Sequence, residues 1–162
     1  EHSNAAIFAR AAGATMGATI VAAYVQGDVA SLVWVGDSRI YLWRRGRLQQ
    51  MSKDHSQTQE LIDEGVLTPE AALTHPDRNV ITRAIGVAPE VEVDVAVLPL
   101  AAGDRLLLCS DGLTGCVSDD DIAAYMSHEL DDHQTAQTLV EAALASGAPD
   151  NVSVVIVTAA GR

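Results

Sequence analysis

Three aspartates stand where a predicted strand ends or begins. Asp37 and Asp111 each follow a run of strand-forming apolar residues, and Asp150 comes just before the last such run. A buried carboxylate without a partner costs several kcal/mol, so each lies at an edge, on a turn or against a cation. If the last strand runs antiparallel to the strand before Asp111, the carboxylates of Asp111 and Asp150 reach the same sheet edge. Asp37 joins them if its strand runs with that of Asp111.

Three carboxylates at one edge would raise one another's pKa unless a cation compensated their charge. Their oxygens suit Mg²⁺ or Mn²⁺, and the sequence has no Cys and His cluster at zinc spacing. The alternative is that each aspartate is simply a turn residue, which is our interpretation of Asp28, Asp54 and Asp104. Spacing alone leaves both interpretations open.

The elements that position these residues are short strands followed and interrupted by helices. Gly-containing turns between runs rich in Val, Ile, Tyr and Trp predict an antiparallel meander. Its strands are expected at 18–26, 29–35 and 39–44, with a short edge strand at 48–51. Further strands are expected at 91–98, 105–109 and 152–158.

Helical patterns lie outside these runs. Helices are predicted at 4–12 with an end near Gly13, in two pieces within 56–83, from an acidic N-terminus at 118–121, and before Gly147. The last is expected to bury one face, formed by Ala136, Leu139, Val140, Ala143 and Leu144. Segregated strands and helices predict an α+β fold with helices packed on antiparallel sheets.

Composition excludes several classes of protein. The 162 residues suit one domain, and a hydrophobic content of 48% argues against disorder. The net charge of −12 repels nucleic acid and anionic membranes and favours cationic partners, metal ions included. No apolar run is long enough to span a bilayer. Cys109 and Cys116 are interpreted as reduced thiols, which favours the cytoplasm.

Six short motifs occur in an order that resembles the metal-dependent protein phosphatases of type 2C in their bacterial form. The motifs are MGAT (16–19), VGDSR (35–39), KDHS (53–56), NVITRAIG (79–86), GDRLLLCSDGL (103–113) and DNVS (150–153). Each is weak alone, but six in the family's order are strong. The resemblance implies an antiparallel β-sandwich flanked by helices, covering residues 1–162 as one phosphatase domain.

The resemblance also implies an activity and a site. Such phosphatases hydrolyse phosphoserine and phosphothreonine with two Mn²⁺ or Mg²⁺ ions that share a bridging water or hydroxide. By matching motif, Asp111 and Asp150 resemble ligands of one catalytic ion. Asp37 resembles a ligand of a third ion found in bacterial members, which Asp111 also contacts. A bimetal centre needs no Ser or Cys nucleophile, because it lowers the pKa of water and screens phosphoryl charge.

Residues 54–86 resemble the family's flap, a helical subdomain beside the active site. Within it, Ser56, His75, Arg78 and Arg83 are candidates for contact with substrate. Surface or loop positions without such contact are the alternative for the histidine and the arginines. Arg39 is expected to pair with a nearby carboxylate.

One departure from the family pattern bears on activity. The family's N-terminal part supplies an Asp-Gly motif that bridges the catalytic ions and an arginine that grips the phosphate, and neither has a counterpart here. We therefore expect an N-terminally truncated phosphatase domain. Sheet surface exposed by the truncation is expected to cause self-association.

Two functions follow. The first is a serine/threonine phosphatase that acts on phosphorylated proteins, opposite a cognate kinase. The second is a pseudophosphatase or phosphoprotein-binding module without turnover. The three aspartates favour the first, because a binding module needs no carboxylates at an edge, whereas the absent bridging motif favours the second.

Overall fold

Two antiparallel sheets form the centre of the computed structural model, which describes residues 2–11, 14 and 16–161. The described strands are β1 (Ile20–Gln26), β2 (Val29–Val35), β3 (Arg39–Arg44), β4 (Arg47–Gln50), β5 (Asp94–Pro99), β6 (Arg105–Cys109) and β7 (Val154–Thr158). One sheet has the order β1-β2-β5 and the other β4-β3-β6-β7. β4 is an edge strand, as predicted.

Apolar residues of β2, β3, β5 and β6 fill the space between the two sheets. Alternate side chains of each strand point to the same face of its sheet, so Leu32 of β2 can meet Ile40 and Leu42 of β3. Ala30, Leu98 and Leu106 complete this buried cluster, the sandwich core. The sandwich predicted from the sequence is confirmed.

The last three of the six described helices cover the outer face of the four-stranded sheet. The described helices are α1 (His2–Ala11), α2 (Gln57–Asp63), α3 (Pro69–Ala72), α4 (Asp111–Thr114), α5 (Asp119–Ser127) and α6 (Asp132–Ala145). Tyr41 and Leu107 pack with Ile122, Met126 and Leu139 in a second cluster, the helix-side core. The α+β class is therefore confirmed. None of the described helices is long and apolar enough to cross a membrane.

The predicted meander is wrong at its second turn. β1 and β2 form a hairpin, but β3 pairs with β4 and β6 rather than with β2. The connection at 36–38 therefore crosses from one sheet to the other. β3 lies in the middle of the molecule, where one face meets the sandwich core and the other the helix-side core. Continuous burial of Ile40, Tyr41 and Leu42 follows from that position.

Side-chain caps set several helix boundaries. Ser56 and Thr68 are the N-caps of α2 and α3, and Ser118 is the N-cap of α5. The predicted end of α1, at Ala12 and Gly13, lies outside the described residues. Leu144 is an exception on α6, because 61% of it is exposed. The buried face of that helix is formed by Thr135, Leu139 and Ala143.

Parts of both sheets carry exposed apolar side chains. In β7, Val155 and Val157 lie opposite Leu108 and Leu106, on the face that looks towards the other sheet, yet they are 55% and 44% exposed. Tyr24 and Val97 project from the face of the three-stranded sheet that points away from the sandwich core, and each is 66% exposed. The described chain therefore presents apolar sheet surface to solvent.

Candidate metal and phosphate site

A pocket of about 370 Å³ opens between the ends of β3 and β6 and the helical segment (residues 54–86). The strand side contributes acidic residues, and the helical segment contributes polar and apolar ones. The charged side chains that line the pocket are Asp37, Asp54, Asp111, Asp119, Arg39 and Arg78. The pocket is therefore strongly charged on one wall and mixed on the other.

Sheet register brings Asp37 and Asp111 together. Arg39 opposes Cys109 at the end of the β3–β6 ladder, with Asp37 just before β3 and Asp111 just after β6. In an antiparallel pair these positions fall at the same end of the sheet. The strand that precedes Asp37, β2, belongs to the other sheet, so Asp37 reaches Asp111 through β3 and not as the sequence reasoning expected.

The pKa of Asp37 reflects its burial and its proximity to Asp111. Burial raises the pKa of Asp37 above its usual value, and the neighbouring charge of Asp111 raises it further. The Arg39 guanidinium and a backbone hydrogen bond act in the opposite direction without cancelling the rise. A cation placed between the two carboxylates would stabilise the ionised form of Asp37.

Asp150 belongs to a neighbouring segment. Ser110 donates its hydroxyl to the Asn151 carbonyl at 3.1 Å and accepts the Ser153 backbone N–H at 3.0 Å. A Cβ atom on Gly112 would lie 2.9 Å from the Asn151 carbonyl carbon and closer still to its oxygen. The backbone around Asp111 thus touches the residue that follows Asp150.

The carboxylate of Asp150 is nevertheless not part of the pocket lining among the described residues. It is exposed and accepts the Asn151 backbone N–H at 2.7 Å. Within the described part of the chain, no three His, Cys, Asp or Glu side chains are grouped closely enough to hold a metal ion. The structure therefore assembles one carboxylate pair, Asp37 with Asp111, and leaves Asp150 beside it.

Arg39 organises the floor of the pocket. Its Nε and Nη2 donate to Asp54 at 2.8 to 3.0 Å, and its Nη1 donates to the Tyr41 hydroxyl at 3.1 Å. Tyr41 in turn donates to Asp119 at 2.8 Å. The predicted pairing of Arg39 with a carboxylate is confirmed. Burial disfavours the charged guanidinium, but the hydrogen bonds to Asp54 and Tyr41 and the charges of these groups together outweigh it and raise the pKa of Arg39.

Sequence reasoning missed Asp54 and Asp119 as pocket residues. Asp54 was interpreted as a turn residue and Asp119 as part of a helix N-terminus. The description of Asp119 holds, because Asp119 is the first residue of α5. The interpretation of Asp54 is wrong, because the structure has no turn at Asp54 and its carboxylate binds Arg39. Their shared connection to Arg39 depends on strand pairing, and only the KDHS motif next to the helical segment hinted at it.

The predicted substrate-contact residues separate into two groups. Ser56 and Arg78 line the pocket. Ser56 is buried and caps α2, whereas Arg78 is exposed. His75 and Arg83 are not among the lining residues that the structure describes. The ring of His75 accepts the Asp77 backbone N–H at 3.2 Å, and Arg83 donates to Asp94 at 2.8 Å.

Known proteins match this architecture and sequence. The family described as Stage II sporulation protein E (SpoIIE) matches residues 2–159. The serine/threonine protein phosphatase PstP of Mycobacterium tuberculosis is 46% identical over 142 residues, which are 87% of this chain and 27% of that protein.

Solved structures agree. The crystal structure of serine/threonine phosphatase Stp1 from Staphylococcus aureus is 34% identical, with a TM-score of 0.93, over 98% of this chain and 64% of that one. The PstP catalytic domain in complex with two manganese ions is 40% identical, with a TM-score of 0.88, over 98% and 67%.

The chain belongs to the SpoIIE family, and its resemblance to bacterial type 2C phosphatases is confirmed. It spans about a quarter of the PstP sequence and about two thirds of the two solved chains.

Proposed function

We propose that this chain forms part of a metal-dependent protein phosphatase that hydrolyses phosphoserine and phosphothreonine in proteins. The observation that carries the proposal is the carboxylate pair Asp37 and Asp111 in one pocket, with the pKa of Asp37 raised by burial and by the charge of Asp111. Relatives named serine/threonine phosphatases support the same activity.

The cofactor proposed is Mn²⁺ or Mg²⁺, with two catalytic ions and a third. Hard carboxylate oxygens fit these ions, and the related PstP catalytic domain was solved with two manganese ions. Asp111 and Asp150 are proposed to hold one catalytic ion, and Asp37 with Asp111 the third. When bound, the ions supply an activated water and neutralise phosphoryl charge. These residues provide part of a coordination sphere, because the described carboxylates form no closed group of three.

The protein residues of the pocket have separate tasks. Asp37 and Asp111 supply the negative charge that retains a cation. Arg39 binds Asp54 at 2.8 Å, and the charge of Asp54 still adds to the rise in the pKa of Asp37. Arg78, on the opposite wall, is placed to meet the phosphoryl group or an acidic side chain of the substrate. We propose that the helical segment 54–86 acts as a substrate flap, with Ser56 in a structural role as the α2 cap.

Further aspects of the proposal concern partners and location. Phosphorylated proteins are the proposed substrates, in a signalling exchange with a cognate serine/threonine kinase in the cytoplasm. The net charge of −12 disfavours nucleic acid and anionic membranes. Exposed Val155, Val157, Tyr24 and Val97 support self-association of the chain. Sedimentation of Val97→Lys against the unmodified chain tests that last point, and two monodisperse monomers would contradict it.

The activity is tested by Mn²⁺-dependent phosphate release from a phosphothreonine peptide. We would compare this chain with a chimera joined to the N-terminal region of PstP from Mycobacterium tuberculosis. Asp111→Asn in the chimera is expected to reduce the rate by at least about tenfold. Asp28→Asn removes the same charge at the β1–β2 turn and is the matched control. A chimera that binds the phosphopeptide but never releases phosphate would favour the binding module instead.

A further inference from the structure

His55 connects three parts of the molecule at the edge of the candidate site. Only 8% of it is exposed, and it precedes the α2 cap. Its backbone N–H donates to the Gly36 carbonyl at 2.9 Å, and its own carbonyl accepts the Thr82 N–H at 2.9 Å. Its Nε2 lies 3.3 Å from the Asp94 carboxylate at the start of β5. The residue therefore touches the 36–38 turn, the helical segment and the three-stranded sheet.

Hydrogen bonding fixes the tautomer of the His55 ring. The Gly36 backbone N–H donates to Nδ1 at 3.0 Å, so Nδ1 carries a lone pair and the ring proton lies on Nε2. That proton faces Asp94, which also accepts from the Arg83 Nη1 at 2.8 Å. The same Nη1 lies 3.1 Å from Nε2, but both nitrogens are donors in this tautomer, so their contact is not a hydrogen bond. Partial burial disfavours the Asp94 carboxylate, but the bonds from His55 and Arg83 prevail and lower the pKa of Asp94. A charged acceptor thus holds the ring in one orientation.

The turn that His55 grips carries Asp37. Gly36 has a φ of +108°, and a Cβ atom there would lie 2.6 Å from Thr19 Cβ, so the turn has no space to shift towards Thr19. On the other side, two hydrogen bonds to His55 hold it, one of which comes from the side chain. The side-chain bond is the one that substitution can remove without altering the backbone.

We propose that His55 is a positioning residue, whose ring holds the 36–38 turn and thereby sets Asp37 relative to the helical segment. The proposal rests on the proposed function only in giving Asp37 a role as a metal ligand. The hold on the turn itself is a property of the folded chain without metal. The Thr82 N–H donates to the His55 carbonyl, so His55 links the segment around Thr82 to the turn that carries Asp37.

Two near-isosteric replacements separate the contacts of the ring. His55→Asn keeps an acceptor oxygen at the position of Nδ1 and loses the donor towards Asp94, whereas His55→Gln keeps a donor at the position of Nε2 and loses the acceptor. We would measure amide hydrogen exchange at Gly36 and Asp37 by NMR, and Mn²⁺ affinity by calorimetry. Urea denaturation of each variant supplies the global stability. His75→Gln is the matched control, because His75 accepts a backbone N–H elsewhere in the helical segment.

The expected result is that His55→Gln exchanges its Gly36 amide about tenfold faster and binds Mn²⁺ about tenfold more weakly, whereas His55→Asn and His75→Gln change neither. Equal exchange at Gly36 in the Asn and Gln variants, or rates that merely follow global stability, would overturn the proposal. Exchange is measured without metal. An unmodified chain that binds no Mn²⁺ would therefore count against the proposed function, while the Gly36 rates still decide the role of His55.

Discussion

Gly112 offers a substitution whose sign depends on tertiary packing. The residue lies inside α4, and its backbone has no positive φ that would require glycine. Helix propensity alone predicts that Gly112→Ala stabilises the protein by up to about 1 kcal/mol. Packing predicts the opposite, because the new Cβ would meet the carbonyl carbon of Asn151 at 2.9 Å.

The magnitude follows from the distance. Carbon atoms in contact prefer about 3.5 Å or more, so α4 and the segment around Asn151 must separate by at least about 0.6 Å, and the closer carbonyl oxygen requires more. That segment is tied to Ser110 by two hydrogen bonds and does not yield freely. Overpacking of this kind costs about 1–3 kcal/mol, which exceeds the propensity gain. In a chain of this size each kcal/mol lost is expected to lower the melting temperature by about 2–4 °C.

Thermal and urea denaturation of Gly112→Ala measure the loss, with Gly161→Ala as control. A Cβ at Gly161 would meet Ala102 at an ordinary 3.5 Å, so the control is expected to change stability by less than about 0.5 kcal/mol. Separation of Asp111 from Asp150 should also weaken Mn²⁺ binding about tenfold. A Gly112→Ala protein as stable as the control would refute the packing argument.

Three further predictions concern other groups. Asp37→Asn is expected to stabilise the metal-free protein at neutral pH. The pKa of Asp37 is raised in the folded state, so above that pKa the ionised carboxylate lowers the free energy of unfolding. Unchanged stability of the variant in chelator would contradict this. Arg105→Met should cost about 3 kcal/mol by urea denaturation, since the buried guanidinium donates to Asp132 at 3.2 Å; a loss below about 1 kcal/mol would count against it. Burial raises the pKa of the Cys109 thiol to about 12. After alkylation at pH 8, mass spectrometry should therefore find Cys109 unmodified until the protein is denatured, with Cys116 as the internal comparison. Modification of Cys109 in the native protein would disprove the shielding.

Local sequence patterns predicted many of the helices and strands of this fold. They failed where the same pattern is compatible with two different strand pairings. The acidic N-terminus at 118–121 correctly predicted the start of α5, because a cap depends on residues within one turn. The Gly36-Asp37 pair resembles the other turns of the predicted meander in composition. Whether the chain then returns to the same sheet depends on which faces of the next strand are buried, and this is decided by distant residues.

The same distinction applies to the candidate site. The sequence places Asp111 and Asp150 at one sheet edge on the condition that their strands run antiparallel, and β6 and β7 do pair in this way. Arg83 is a candidate for substrate contact in the sequence, but in the structure its guanidinium binds Asp94 at the start of β5. Asp54 acquires its place through Arg39, a contact that no local pattern encodes.

The position of β3 and β6 between two cores has a consequence for how the sequence can vary. Successive side chains of these strands enter different cores, so a polar replacement is equally damaging at odd and even positions. In β1 and β7, only every second residue is half-buried. In a saturation mutagenesis library of this protein, tolerance to polar substitution would therefore alternate from residue to residue in the outer strands. It would not alternate in the central pair, β3 and β6. We expect homologous sequences to vary in the same pattern, with the outer strands tolerating more substitutions than the central pair.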